Sequence, residues 1–214
     1  MKFHRFSEFA LVVGLLTAPP ALADVPSATT STVPDLLTLV AHDGSGAGDQ
    51  SQPFTVVVRK LSGQTMAGAD VVFVFDRCTD LKFCTDQGDP NVAVSCAYHN
   101  LRAFTGAGGA VTFHVTGGAV NEGAAPGPTG PAMDVYADGV LLKTVRVAAF
   151  DQIGLDGMDG KDLSAWLADY FSGQPYARSD YDGDGVLSGT DFSLFLAAFF
   201  SGASAVGCGS AVCP

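Results

Sequence analysis

Twelve residues near the C-terminus, DYDGDGVLSGTD (Asp180–Asp191), restrict the local fold more than any other stretch of the chain. Aspartates stand at the first, third, fifth and twelfth positions, and Gly185 at the sixth, where a sharp turn requires a residue without a β-carbon. A loop with this spacing can wrap a hard cation such as Ca²⁺, which takes roughly six to eight oxygen ligands. The ligands read from the pattern are Asp180, Asp182, Asp184, the backbone carbonyl of Val186, Ser188 through a water, and Asp191. Leu187 is the apolar residue that pins the loop to its neighbour.

The loop runs into DFSLFLAAFFSG, and DLSAWLADYFSG stands 29 residues earlier, identical at seven of twelve positions. This is an internal duplication, with apolar residues at helical spacing in each copy. Each copy is therefore expected to be a loop that runs into a short amphipathic helix closed by Ser-Gly. In the first copy the same offset puts Asp151 and Asp162 at the end positions but Ile153 and Leu155 at positions three and five, where no side-chain oxygen is available. The first loop is expected either to bind a cation weakly, shifting register to use Asp156 or Asp159, or to hold its shape by packing against the second. Trp166 aligns with Phe195 on a helix face and is read as core rather than as a ligand platform.

Two loop-helix units joined by QPYARS resemble the dockerin type I domain, over about residues 149–202. The resemblance implies a small all-α, calcium-binding module that docks a secreted protein onto a cohesin-like domain in polysaccharide-degrading assemblies. It also implies that partner contacts fall at loop positions ten and eleven, here Gly160 and Lys161 and then Gly189 and Thr190. These couplets differ from the polar pair usual in the family, so the expected partner is a cohesin-like domain that differs from an ordinary cohesin.

Between residues 35 and 149 the signals change to those of strands: LLTLVA, FTVVVRKL, DVVFVFD, NVAVSCAYH, AVTFHVTG and LLKTVRVAAF are rich in β-branched or aromatic residues and bounded by turn formers. Val111, Phe113 and Val115 alternate with Thr112, His114 and Thr116. Ala137-Asp138-Gly139 reads as a hairpin turn. Short strands at this spacing predict an antiparallel β-sandwich. The run FTVVVRKLSGQTMAGADVVFVF followed by FTGAGGAVTFHVTGG resembles bacterial immunoglobulin-like domains of the invasin and intimin type, which are adhesive or structural. The expected fold is thus an all-β immunoglobulin-like sandwich at 35–149 followed by an all-α dockerin-like domain at 150–203. VRVAAFDQIG offers no flexible linker between them.

The N-terminus combines a basic start, an apolar run and Ala21-Leu22-Ala23, so residues 1–23 read as an export signal and 24–34 as a flexible lead-in. Removing Lys2, Arg5 and Glu8 takes the formal charge from −11 to −12, which disfavours nucleic acid as a partner. No later stretch is long and apolar enough to span a membrane. Glu122 is the only glutamate after the leader, whereas nine aspartates crowd residues 151–191.

Cys78, Cys84, Cys96, Cys208 and Cys213 in an exported chain are read as disulfide candidates rather than metal thiolates. One bridge is expected among the first three. Cys208 and Cys213, in the tail 204–214, are close enough to pair, but five cysteines leave the connectivity open. His42, His99 and His114 stand singly, without a nucleophile motif, and the C-terminal aspartates are absorbed by the loops. The chain is therefore read as non-catalytic: a secreted binding or scaffold protein, or an accessory carbohydrate-binding component of an extracellular polysaccharide-degrading system.

Overall fold

The computed structural model describes residues 24–42, 49–120, 130–172 and 176–213. Residues 1–23, read above as an export signal, and Glu122 lie outside them. The strands in chain order are β1 (Leu36–Leu39), β2 (Phe54–Val57), β3 (Asp70–Val74), β4 (Leu81–Phe83), β5 (Ala93–Ser95), β6 (Asn100–Phe104), β7 (Ala110–Phe113), β8 (Gly117–Ala119), β9 (Met133–Ala137) and β10 (Val140–Ala149). The helices are α1 (Gly160–Ser172) and α2 (Gly189–Ser201).

The principal sheet has the order β1-β10-β9-β3-β6-β5. Its β1–β10 pair is parallel, and the β9–β10 hairpin turns at Asp138 and Gly139, which take φ of 45° and 79°. Those left-handed angles suit an Asp-Gly pair, so the turn read from the sequence is the one that forms. β2 pairs with β7, and β4 with β8, as separate two-stranded ribbons. Phe73 of β3 packs between Phe54 of β2 and Phe113 of β7, at ring-centroid distances of 5.3 and 4.1 Å, so that ribbon closes over the main core. Residues 24–34 run along β2, with bridges Pro26↔Lys60 and Thr32↔Val57.

This architecture overturns the expected pairing of an all-β immunoglobulin-like sandwich with a separate all-α domain. Among the described residues strands and bridges make up 33%, two α-helices accompany them, and the main sheet curls as a half-barrel. The physical reason lies in β10, whose alternate residues enter different cores. Val145, Val147 and Ala149 join the main core, whereas Ala148 and Phe150 join a second one with Val40, Trp166, Tyr181, Phe195 and Ala198. A strand exposes opposite faces at successive residues. At this edge the outer face is covered by helices and loops instead of by a second sheet.

A buried ionic cluster also crosses the junction. Arg178 donates through Nε and Nη2 to both carboxylate oxygens of Asp169 on α1, each at 2.9 Å, and through Nη1 to Asp80 at 3.0 Å. Two disulfides, Cys84–Cys208 and Cys96–Cys213, join the tail to the β-rich part. Both run between the cysteine-bearing loop and the tail, so the bridge expected within the loop does not form, nor does Cys208 pair with Cys213. Cys78 keeps its thiol in the main core. Among the described residues no helix is long and apolar enough to cross a membrane.

Candidate metal site in the second loop

α2 begins at Gly189, two residues before the repeated segment that starts at Asp191. Ser188 caps it, accepting from the Thr190 amide, while Asp191 accepts from the Ser188 amide in a reciprocal capping box. Gly202, at φ 73°, ends it. The loop before the helix is organised by its own aspartates. Asp180 Oδ2 accepts from the Gly185 amide at 2.8 Å and Oδ1 from the Gly183 amide at 2.8 Å. Asp191, fully buried, accepts from the Tyr181, Asp182 and Ser188 amides. These bonds bend the chain so that Asp180, Asp182 and Asp184 each offer one carboxylate oxygen within 4.8 Å of the others. Among the described residues, this is the one such grouping of three or more His, Cys, Asp or Glu side chains.

The donor set consists of hard carboxylate oxygens, two of the three exposed, and it fits a cation that prefers oxygen and tolerates bound water. Of the residues read from the sequence, the fold brings together Asp180, Asp182 and Asp184. Asp191 and Ser188 serve the helix cap at the base of the loop, and Val186 is exposed, its amide donating to Asp184. Burial pushes the Asp180 carboxyl above its ordinary range, while the Gly185 and Gly183 amides and Arg146 pull it back. Arg146, on β10, donates to Asp180 Oδ2 at 3.0 Å and to the Gly183 carbonyl. Nothing in the loop's own sequence announced this cation. It arrives because Arg146 shares the outer face of β10 with Ala148.

The first loop repeats the amide scaffold without the ligand trio. Asp162 Oδ1 accepts from the Gln152 and Ile153 amides, and its Oδ2 from Asp159, as Asp191 does from Tyr181, Asp182 and Ser188. The second residues of the two loops also meet, since Gln152 Nε2 donates to the Tyr181 hydroxyl at 2.8 Å. Asp156 and Asp159 pair instead with Lys161, at 2.9 and 3.3 Å. Asp151 Oδ2 accepts from the Gly157 amide, but its buried Oδ1 has no protein partner. Gly160 and Lys161, and Gly189 and Thr190, occupy the exposed first turns of α1 and α2. Gly189 and Ser188 help line a shallow groove with Trp166, Tyr170, Phe171 and Phe192. Trp166 itself is buried, stacked on Tyr170 and Phe192.

Burial pushes Asp151 up to about 7, a rise that the Gly157 amide opposes and that Asp162 and Asp156 reinforce. A carboxyl raised in the folded state stabilises the fold below its unfolded value of about 3.9, and that contribution is lost as pH climbs through the folded value. In calcium-free buffer, stability should therefore fall between about pH 4 and 7 by up to roughly 3 kcal/mol from this group. Asp151→Asn should flatten that slope in urea melts taken across the range. An unchanged slope would show that Asp151 stays ionised.

Comparison with known protein families, with curated proteins and with solved structures finds no match to this chain.

Proposed function

We propose that the Asp180–Asp191 loop takes up one calcium ion, and that the chain is a non-catalytic, exported binding protein whose loop-helix unit docks to a protein partner. The convergence of Asp180, Asp182 and Asp184 carries this reading, with the Gly185 amide holding the first of them in place. Three carboxylates held this close repel one another, and a divalent cation relieves the repulsion. Docking through the helices is supported by apolar exposure: Phe171 and Phe200, equivalent under the 29-residue repeat, are 77% and 76% exposed beside helix faces otherwise buried. Contiguous exposed apolar patches mark contact surfaces, and Phe171 continues the groove lined by Trp166, Tyr170 and Phe192. The two disulfides and the lack of a spanning helix among the described residues are compatible with work outside the cell.

The test is calorimetric. The full chain should bind one equivalent of Ca²⁺, and Asp184→Ala should weaken binding by at least about a hundredfold while leaving the urea midpoint of the metal-free protein nearly unchanged, since Asp184 is exposed. Asp156→Ala, in the first loop, should leave the affinity within about twofold. A parent chain that binds no calcium at millimolar concentration, or an Asp184→Ala chain that binds as the parent does, would overturn the proposal.

A further inference from the structure

The first loop lies backbone to backbone against the chain's own tail. The Met158 amide donates to the Ser204 carbonyl at 3.0 Å, and the Gly209 amide to the Leu155 carbonyl at 3.0 Å. Contact is so close that a β-carbon on Gly157 would lie 2.5 Å from the Ala205 carbonyl oxygen, and one on Gly207 would lie 2.0 Å from that of Leu155. Only paired glycines allow the two backbones to pass. Gly157 also sits at φ 94°, a conformation L side chains rarely adopt.

The tail is anchored on both sides of this crossing. Upstream, Ser204 is fully buried at φ 58°; its hydroxyl donates to Asp49 at 2.9 Å and accepts from the Ala41 amide, while Val206 exchanges two backbone bonds with His42. Downstream, Cys208 is bonded to Cys84, and the Ala211 carbonyl accepts from the Thr85 amide.

We infer that residues 204–209 form a disulfide-held strap that takes the place of a bound ion in the first loop, so that this loop is ordered by oxidation rather than by calcium. Lys161, lying across Asp156 and Asp159, supplies the positive charge. Because Gln152 of the first loop donates to Ser179 beside the second and to Tyr181 within it, a strapped first loop pre-organises the second for its ligand. This last consequence rests on the calcium reading above; the strap itself does not.

The experiment compares the oxidised full chain with Cys84→Ser/Cys208→Ser and, with both bridges kept, Gly207→Val. Amide hydrogen exchange is followed at Gln152, Ile153, Met158 and Asp159, with β3 and β9 amides reporting whether the sheet remains folded. Both variants should lose at least tenfold protection in the first loop while the sheet amides stay protected, and added Ca²⁺ should not restore it. In the same samples, calcium affinity of the second loop should fall several-fold. First-loop protection that survives in both variants overturns the strap, and so does recovery with calcium at a second equivalent of bound ion, which would make the loop an ion site. If the parent binds no calcium, the docking proposal fails while exchange still decides the strap.

Discussion

Arg178→Met should cost about 3–5 kcal/mol of folding free energy, far more than an average substitution. Its guanidinium is 6% exposed, and it neutralises Asp169 and Asp80, which are 4% and 1% exposed. Asp169 is further committed, because the Ser179 hydroxyl donates to it at 2.6 Å. Removing the arginine leaves two buried carboxylates without their counter-ion, and the uncompensated charge dominates the lost contacts. Coulomb attraction alone would not make the cluster stabilising, since all three ions were stripped of water to form it. The triple change Arg178→Met/Asp169→Leu/Asp80→Leu should therefore recover most of the loss. Urea melts of the single and triple variants test both halves, and a single variant within about 1 kcal/mol of the parent would show that water reaches the carboxylates.

The two disulfides should be strongly non-additive. Cys84–Cys208 and Cys96–Cys213 span 124 and 117 residues of chain, so either one alone closes a very long loop in the unfolded state. Once one is closed, the other adds only the short circuit through Cys84 to Cys96 and Cys208 to Cys213, roughly 17 residues, for which chain entropy gives about 3 kcal/mol. Removing either bridge by Cys→Ser pairs should cost about 3 kcal/mol, and removing both about 7–8 kcal/mol, because the second loss opens the long loop at about 4.7 kcal/mol. Denaturation without reductant measures all three. Equal costs for the two successive removals would place the stabilisation in native contacts and not in the unfolded chain.

The parts of this structure that were legible from sequence are those governed by residues near one another in the chain. The hairpin at Asp138-Gly139 and the convergence of Asp180, Asp182 and Asp184 follow from local backbone preference or from spacing within twelve residues, whereas Ser188, read as a ligand, caps α2. β4, β6 and β8 were missed: β6 carries Arg102 among its apolar residues, and β8 is the run Gly-Gly-Ala, without alternation to read. Its use is steric: a β-carbon on Gly117 would meet the Lys82 carbonyl at 2.3 Å, and one on Gly118 the Asp151 carbonyl at 2.6 Å. The sandwich expectation failed on a longer-range fact. Parallel pairing of β1 with β10 joins residues about 110 apart, and alternation within either strand says only that two faces exist, not what will cover each. The cysteine connectivity and the Arg146–Asp180 pair were hidden for the same reason.

The sharing of β10 between the two cores bears on how such a chain can be inherited. Recombination that cut after residue 149 would part Phe150 from Ala148, its neighbour in the second core, because residues of the two cores alternate along one continuous stretch. A fragment carrying only the loop-helix repeat would lose Val40 and Ala148 from its apolar floor, Arg146 from its acidic loop and Asp80 from its buried guanidinium. The loop-helix repeat is thus not transferable alone: gene shuffling could move it only together with Leu36–Val40, Asp80 and Val145–Phe150.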